Sequence, residues 1–463
     1  MALPDYHLGR FGWFLILATF CLHTGVVRSQ EGKTAEELYN SALTSYNAGN
    51  FAAAEAALSE FLASYGESGQ IDDLLPRILP LLAISQIRVE KFDTAAETID
   101  RALELRPPIT PQAAEELSFW RGVCHLKADE FDKARGRFEG FAKEYPRSDK
   151  RIEALILAGT AFLLEERWTD AADYLKPLED AVAFPEKGRL IVLRFYAQLQ
   201  AGRWDEAMQL VNETFPHLDK MVQVSAMQVM ALELGNHLLE QERYREAIGC
   251  FQRLWTRSRV IGLQQERLEA LRARKVAAER RNDQFDQYRT GQLLAKVERE
   301  LKTFREIEAF DPAVRLRLAT AYLEMDRYRE AAIVLEGMLT DLPADPIVEG
   351  AALTLLKCWA EVERWPRVVE NADRFLAKFR RSTQIPIVLF LRGQAEQELG
   401  EFAKAVATFE EIVNKHGDSE LAPRALFMMG YTELLNEAYP AAAEIFQKVV
   451  DRHPKEDIAE ASV

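Results

Sequence analysis

Catalysis or metal binding in this chain would rest on histidines, cysteines and carboxylates at useful spacings. Beyond the first thirty residues the histidines stand at 125, 217, 237, 416 and 453. No two are four apart, the spacing that puts two imidazoles on one helical face around a metal. Cys21, Cys124, Cys250 and Cys358 lack the CxxC-like clustering of a zinc site and are too few and scattered for a disulfide framework. Cys124 and Cys358 share one position in a repeat described below, which suits small core residues. The doublets Glu115-Glu116, Glu165-Glu166 and Glu410-Glu411 could work as acid and base, but among 73 acidic residues a solvated helix face is the simpler reading. There is no GxSxG elbow, no phosphate-cradling glycine loop and no dinucleotide fingerprint. The sequence therefore predicts no enzyme, no metal and no cofactor.

The elements that would position any site are helical. The chain has 463 residues, 48% of them hydrophobic and 28% charged, the composition of a folded protein. Its net charge is -15. Near the N-terminus the run Phe11-Gly12-Trp13-Phe14-Leu15-Ile16-Leu17-Ala18-Thr19-Phe20-Cys21-Leu22 is shorter than a membrane span. Small residues at Val27 and Ser29 then suit a signal peptidase, so residues 1–29 read as a signal peptide cleaved after Ser29. An uncleaved anchor would also export the protein, and Phe20 before Cys21 disfavours lipidation. Export and acidity together argue against a nucleic-acid partner.

From residue 34 onward apolar residues recur three and four apart, and no strand-length alternation is found. A repeat emerges on aligning an aromatic after each polar turn: Phe51, Phe92, Phe131, Trp168, Trp204, Tyr244, Phe285, Tyr328, Trp365, Phe402 and Tyr439, 36 to 43 residues apart. Three residues after the anchor stands alanine in nine of eleven cases, the exceptions being Tyr288 and Val368. Seven after it is a bulky apolar residue such as Leu58, Phe251 or Phe409, and nine before it a small one such as Ala42, Gly235 or Gly393. Proline follows at fifteen in four repeats, as Pro107, Pro146, Pro343 and Pro454. Thr34 with Glu37 reads as a capping box, and Asp311-Pro312 and Asp345-Pro346 as caps followed by first-turn prolines.

These offsets resemble the tetratricopeptide repeat. The resemblance implies an all-α fold: an α-solenoid, a right-handed superhelix of about eleven helix hairpins. The repeats are longer than the family's usual 34 residues, so the excess should extend helices or the turns between repeats. The stretches around 138–149 and 409–425 are similar to the repeats of bacterial outer-membrane-assembly and Tol-Pal-associated proteins. That similarity implies a periplasmic or cell-envelope setting and a protein-binding scaffold. In this family the first helix of each pair lines the concave face, with contact positions twelve, eight, five and four before each anchor. On and around these positions the polar and aromatic candidates for protein binding are Tyr39, Tyr46, Asn47, Arg88, Lys127, Tyr196, Gln200, Asn236, Gln394, Gln397 and Tyr431. No lysine stands twelve before an anchor, which argues against a carboxylate clamp and for an extended or helical peptide.

One segment breaks the pattern. Residues 253–305 hold 14 basic against 7 acidic side chains, and around Phe285 both Tyr288 and Gln292 depart from the repeat. We expect an array over 34–257, a degenerate basic connector with a break or bend over 258–309, and a second array over 310–455. The bland reading of the connector is an arginine-laced helical pair. The functional one is a basic docking patch at Arg272, Arg274, Arg280 and Arg281 for an acidic partner, a membrane surface or a cell-wall polymer. A glycan-binding accessory is thus the alternative to the protein scaffold. Since Asp457 to Ala461 could open only a partial further helix, the last pair, residues 424–450, is expected to self-associate or dock a partner.

Overall fold

The computed structural model describes residues 35–453, apart from 66–70, 107, 185, 282–283 and 342–345, together with residue 462. The predicted signal segment, the Thr34 cap and Asp345 lie outside the described residues, as do Pro107, Pro343, Pro454 and the segment 457–461. So do the side chains of Phe285, Tyr288 and Gln292. Among the described residues are 22 α-helices and two 3-10 segments, with no strand. None of the described helices is long and apolar enough to cross a membrane.

The chain forms two compact units, up to Arg137 and from Phe138. In the first, α1 (Ala35–Asn47), α2 (Phe51–Tyr65), α3 (Leu75–Arg88), α4 (Phe92–Leu103) and α5 (Pro111–Lys127) each pack on the next. Helix α6 (Phe131–Glu144) carries the boundary. The second unit runs through α7 (Arg151–Leu164), α8 (Trp168–Leu175), α9 (Glu186–Gln200), α10 (Trp204–Thr214), α11 (Val224–Glu240) and α12 (Tyr244–Phe251). It continues through α13 (Arg257–Arg280), α14 (Gln284–Arg305), α15 (Phe310–Leu323), α16 (Tyr328–Asp341), α17 (Val348–Glu361) and α18 (Trp365–Lys378). It ends with α19 (Ile385–Glu398), α20 (Phe402–Lys415), α21 (Ala422–Leu435) and α22 (Tyr439–Arg452). Ten of the eleven aromatic anchors are the first residue of a second helix; Phe285 is the second residue of its own. The excess repeat length goes partly into 17-residue first helices, α5 and α11, and partly into 3-10 turns at Lys176–Ala181 and Phe215–Lys220.

Within a pair, the small residue nine before the anchor meets the bulky one seven after it. A Cβ placed on Gly235 would stand 2.4 Å from the Phe251 ring, and one on Gly393 would stand 2.7 Å from Phe409. Where the earlier residue is alanine, as at Ala83 and Ala319, the later one is the slimmer Ile99 or Leu335. The alanines three after the anchors are buried to within 1% of their surface, and Val368 takes the same place fully buried. Eight of the eleven pairs thus have a small residue at the crossing, which lets the two helix backbones approach; the Trp204 and Trp365 pairs instead place Phe195 and Leu356 there, opposite Val211 and Ala372.

The turn inside each pair is equally regular. In ten of the pairs the residue two before the anchor has a left-handed φ, and the N–H of the next residue donates to the carbonyl five positions back, as Arg243 does to Leu238 and Arg364 to Trp359. This is a Schellman ending, which ordinarily calls for glycine. Glycine serves at Gly49, Gly202 and Gly400, but Glu90, Asp129, Glu166, Glu242, Asp326, Glu363 and Glu437 hold the same conformation at φ 55 to 62°.

On either side of residues 258–309, expected to be a degenerate connector with a break or bend, α12 packs directly on α15. Helices α13 and α14, of 24 and 22 residues, pair mainly with each other and stand outside the succession. Chain entry and exit are side by side. The Arg257 N–H donates to Asp311 Oδ1 at 2.7 Å, and the Arg257 guanidinium donates to the carbonyls of Ile307 (3.2 Å) and Arg305 (2.6 Å). Asp311 therefore does not cap α15, which starts at Phe310 behind an uncapped Ala309; it satisfies a free N–H of the first turn of α13.

Candidate protein-binding surface

In the first unit the predicted cations lie over aromatic anchors. The Arg88 guanidinium stands 5.6 Å from the Phe51 ring centroid, and the Lys127 ammonium 5.8 Å from that of Phe92. Both side chains are exposed, so each cation of one pair covers the anchor of the pair before it. The Tyr46 ring meets Phe51 edge-on at 5.5 Å, and partial burial raises its phenol pKa, keeping it a neutral donor. Asn47 is exposed, and Tyr39 is half-buried against the cluster around Leu38 and Leu58. Tyr46, Phe51 and Arg88 thus form one contiguous patch.

In the second unit, Tyr196 and Asn236 belong to a longer patch across α9 and α11. The Tyr196 ring stands edge-on to Trp168 at 5.7 Å, and its phenol pKa is raised by burial and then by the charges of Glu233 and Glu166. The Glu233 carboxyl is itself pushed up by burial, with His237 opposing. The His237 ring stacks on Trp204 at 4.7 Å. Asn236 sits between them in sequence, and its Oδ1 is shielded from water with no hydrogen-bond partner among the described residues. The sequence singled out Tyr196 and Asn236 and missed Glu233, His237 and the two tryptophans around them. Its contact positions were those of the family, whereas Glu233 and His237 lie eleven and seven before Tyr244.

The remaining candidates are scattered. Gln200 is exposed and Gln394 half-buried. Gln397 is buried, and its Oε1 accepts from the Thr432 hydroxyl at 2.8 Å, so it joins α19 to α21. Tyr431 is 39% exposed and stands with exposed Leu434, Leu435 and Tyr439 on the last pair. Arg272, Arg274 and Arg280 of α13 and Arg281 at its C-cap are all exposed, with Arg272 paired to Glu298 at 3.0 Å. Burial pushes the thiols of Cys124 and Cys358 up to about 11 and that of Cys250 to about 12, so all three are neutral packing groups. Among the described residues no group of three or more His, Cys, Asp or Glu is placed to hold a metal.

A family model for the tetratricopeptide repeat matches residues 81–149 and 390–457. Tetratricopeptide repeats are thus present at both stretches, and the packing and turn rules found there recur in the pairs between them. No match was found among curated protein sequences. Among solved structures, the chain is similar to one of Naa15/Naa10 bound to HypK-THB, at 12% identity and a TM-score of 0.30, covering 89% of this chain and 68% of that one. It is similar to the APC/C hetero-tetramer Cut9-Hcn1 at 10% identity and a TM-score of 0.28, covering 93% and 96%. A tetratricopeptide repeat protein from Parabacteroides merdae ATCC 43184 is similar at 14% identity and a TM-score of 0.25, over 67% and 96%.

Proposed function

We propose that the chain is a non-catalytic scaffold that binds a protein or peptide segment along its first helices, and that it works outside the cytoplasm in a bacterial cell envelope. The observation that carries the binding reading is the patch Trp168, Tyr196, Glu233, Asn236, His237 and Trp204. It offers apolar ring faces beside a shielded amide oxygen that has no partner among the described residues. Such a mixture of ring faces and polar side chains suits a peptide that lays down its own side chains on the rings. The setting rests on the apolar run from Phe11 to Leu22 and on the similarity of the repeats to those of envelope proteins.

The test is site-specific photo-crosslinking in intact cells, with the reactive side chain at Tyr196 and at Gln200, and at the exposed Gln209 of α10 as the comparison. The reading expects discrete protein adducts from the first two positions and none from the third. Equal labelling at all three would sink the binding face. Fractionation of the same cells tests the setting separately, since protein confined to the cytoplasm would reject export and leave the binding face standing.

A further inference from the structure

The stack does not need its seventh helix pair: α12 and α15 already touch, and the hairpin leaves and rejoins the chain at hydrogen-bond distance. The hairpin is held at its base. Gln264 Nε2 donates to the Val222 carbonyl at 2.9 Å, and the Arg267 guanidinium donates to the carbonyls of Met221 (2.7 Å) and Asp219 (2.6 Å). A small apolar cluster of Val222, Leu268, Leu271, Leu294, Val297 and Leu301 completes the attachment. Beyond Leu271 the character changes. Over residues 272–281 every side chain except Ala277 and Ala278 is exposed, and the stretch carries five basic residues, Arg272, Arg274, Lys275, Arg280 and Arg281, against one acid of its own, Glu279, with Arg272 paired to Glu298 of α14. Lys296, Arg299 and Lys302 extend the basic surface along α14, where Glu298 is the exposed acid among them.

The rest of the chain is acidic, and part of that acidity is arranged. In the pairs from α11–α12 to α19–α20, the described inner turns expose Glu240, Glu242, Glu324, Asp326, Glu361, Glu363 and Glu398, against the exposed Arg327 and Arg364 and the half-buried Arg243, so each stays net acidic. The hairpin attaches by Val222 and its neighbours just before the first turn of α11, whereas Glu240 is the last residue of that helix and Glu242 lies just past it. Seventeen residues of helix separate the two ends by about 25 Å. The arm's attachment and the acidic turn are therefore at opposite ends of the same helix, which disfavours closure of the arm onto its own turns.

We propose that this hairpin is a docking arm whose basic outer half binds the acidic inner turns of a second copy of the chain. Net repulsion between two copies at -15 each acts at long range and is screened beyond about 8 Å at physiological salt, whereas the opposed surfaces meet at contact. Complementary charge of this kind sets orientation and pairing.

The test is sedimentation equilibrium of the full chain at about 0.15 M, the low-salt condition, and about 0.5 M salt. Self-association should appear at low salt and disappear at high salt. Two charge-reversal sets should each weaken it at least about tenfold: Arg272→Glu with Arg274→Glu, Arg280→Glu and Arg281→Glu, or Glu240→Lys with Glu324→Lys, Glu361→Lys and Glu398→Lys. Mixing the two variants should restore association between unlike chains, a rescue that misfolding would not produce. A wild-type chain that stays monomeric at low salt, or two variants that do not rescue each other, overturns the proposal. So does an arm whose reversal leaves self-association intact while abolishing retention on phosphatidylglycerol vesicles or on cell-wall polymer.

Discussion

The left-handed glutamates make a quantitative prediction. Glu363 and Glu90 are exposed, sit at φ 55° and 62°, and make no side-chain hydrogen bond or ion pair among the described residues. A side chain with a Cβ in this conformation is about 1–2 kcal/mol above its right-handed alternative. Replacing it with glycine relieves that strain but makes the unfolded chain freer, which takes back about 0.4–1 kcal/mol. The hydrogen bonds of the turn, Glu363 N to Ala360 O at 2.9 Å and Arg364 N to Trp359 O at 2.8 Å, are main-chain and survive the change. Glu363→Gly and Glu90→Gly should therefore each stabilise the protein by about 0.5–1 kcal/mol, read as a raised urea midpoint with unchanged slope. Gly400→Glu, at φ 75°, should lose a similar amount. If both glutamate variants are neutral or destabilised while Gly400→Glu is tolerated, the strain argument is wrong and the turns draw stability from the acidic side chains themselves.

Other consequences follow from the packing and the buried charges. Gly393→Ala forces a Cβ into the Phe409 ring and should lower stability by about 1–2 kcal/mol in spite of alanine's better helix propensity, while adding Phe409→Leu should recover most of the loss. Arg194 and Glu179, both 7% exposed, form a bidentate pair at 2.6 and 3.0 Å, so Arg194→Met should destabilise by about 3–5 kcal/mol in equilibrium unfolding by leaving a buried carboxylate alone. Burial lifts the Glu300 carboxyl to about 7, against the pull of the Ala226 N–H and Ser225 hydroxyl at the start of α11 and of Arg299. Its folded pKa exceeds the unfolded value of 4.5, so the folded state holds the extra proton, and stability should decline as pH rises from about 4.5 to about 7. Hydrogen exchange in α13 and α14, corrected for intrinsic rates, should therefore quicken over that window, and Glu300→Gln should flatten the dependence.

What was legible in the sequence was whatever a single helix pair settles within itself. The small residue nine before the anchor meets the bulky one seven after it, only 16 residues along the chain, so spacing alone placed ten second-helix starts at their first residue. The departure at Phe285 and the basic run were visible too, but their meaning was not. That α12 meets α15 across an excluded pair is a contact between segments more than fifty residues apart, which no local period encodes. For the candidate surface, the sequence marked Arg88 and Lys127 as cations on a binding face without showing the aromatic ring beneath each. The Trp204–His237 stack depends on how two consecutive pairs are rotated against each other, which is likewise absent from spacing within one pair.

The closure of the stack across the hairpin also bears on how the chain folds. In a repeat array, order spreads by contact between neighbours, and here the neighbours α12 and α15 are joined through residues 252–309, a span of about sixty residues whose closure costs about 3.6 kcal/mol of chain entropy. Helices α13 and α14 are long and adjacent in sequence, so they can pair early through local contacts and bring Arg257 against Arg305 and Ile307 before either flank is built. A hairpin formed first would turn a distant encounter into a near one, and the repeats on either side could then fold as one cooperative run.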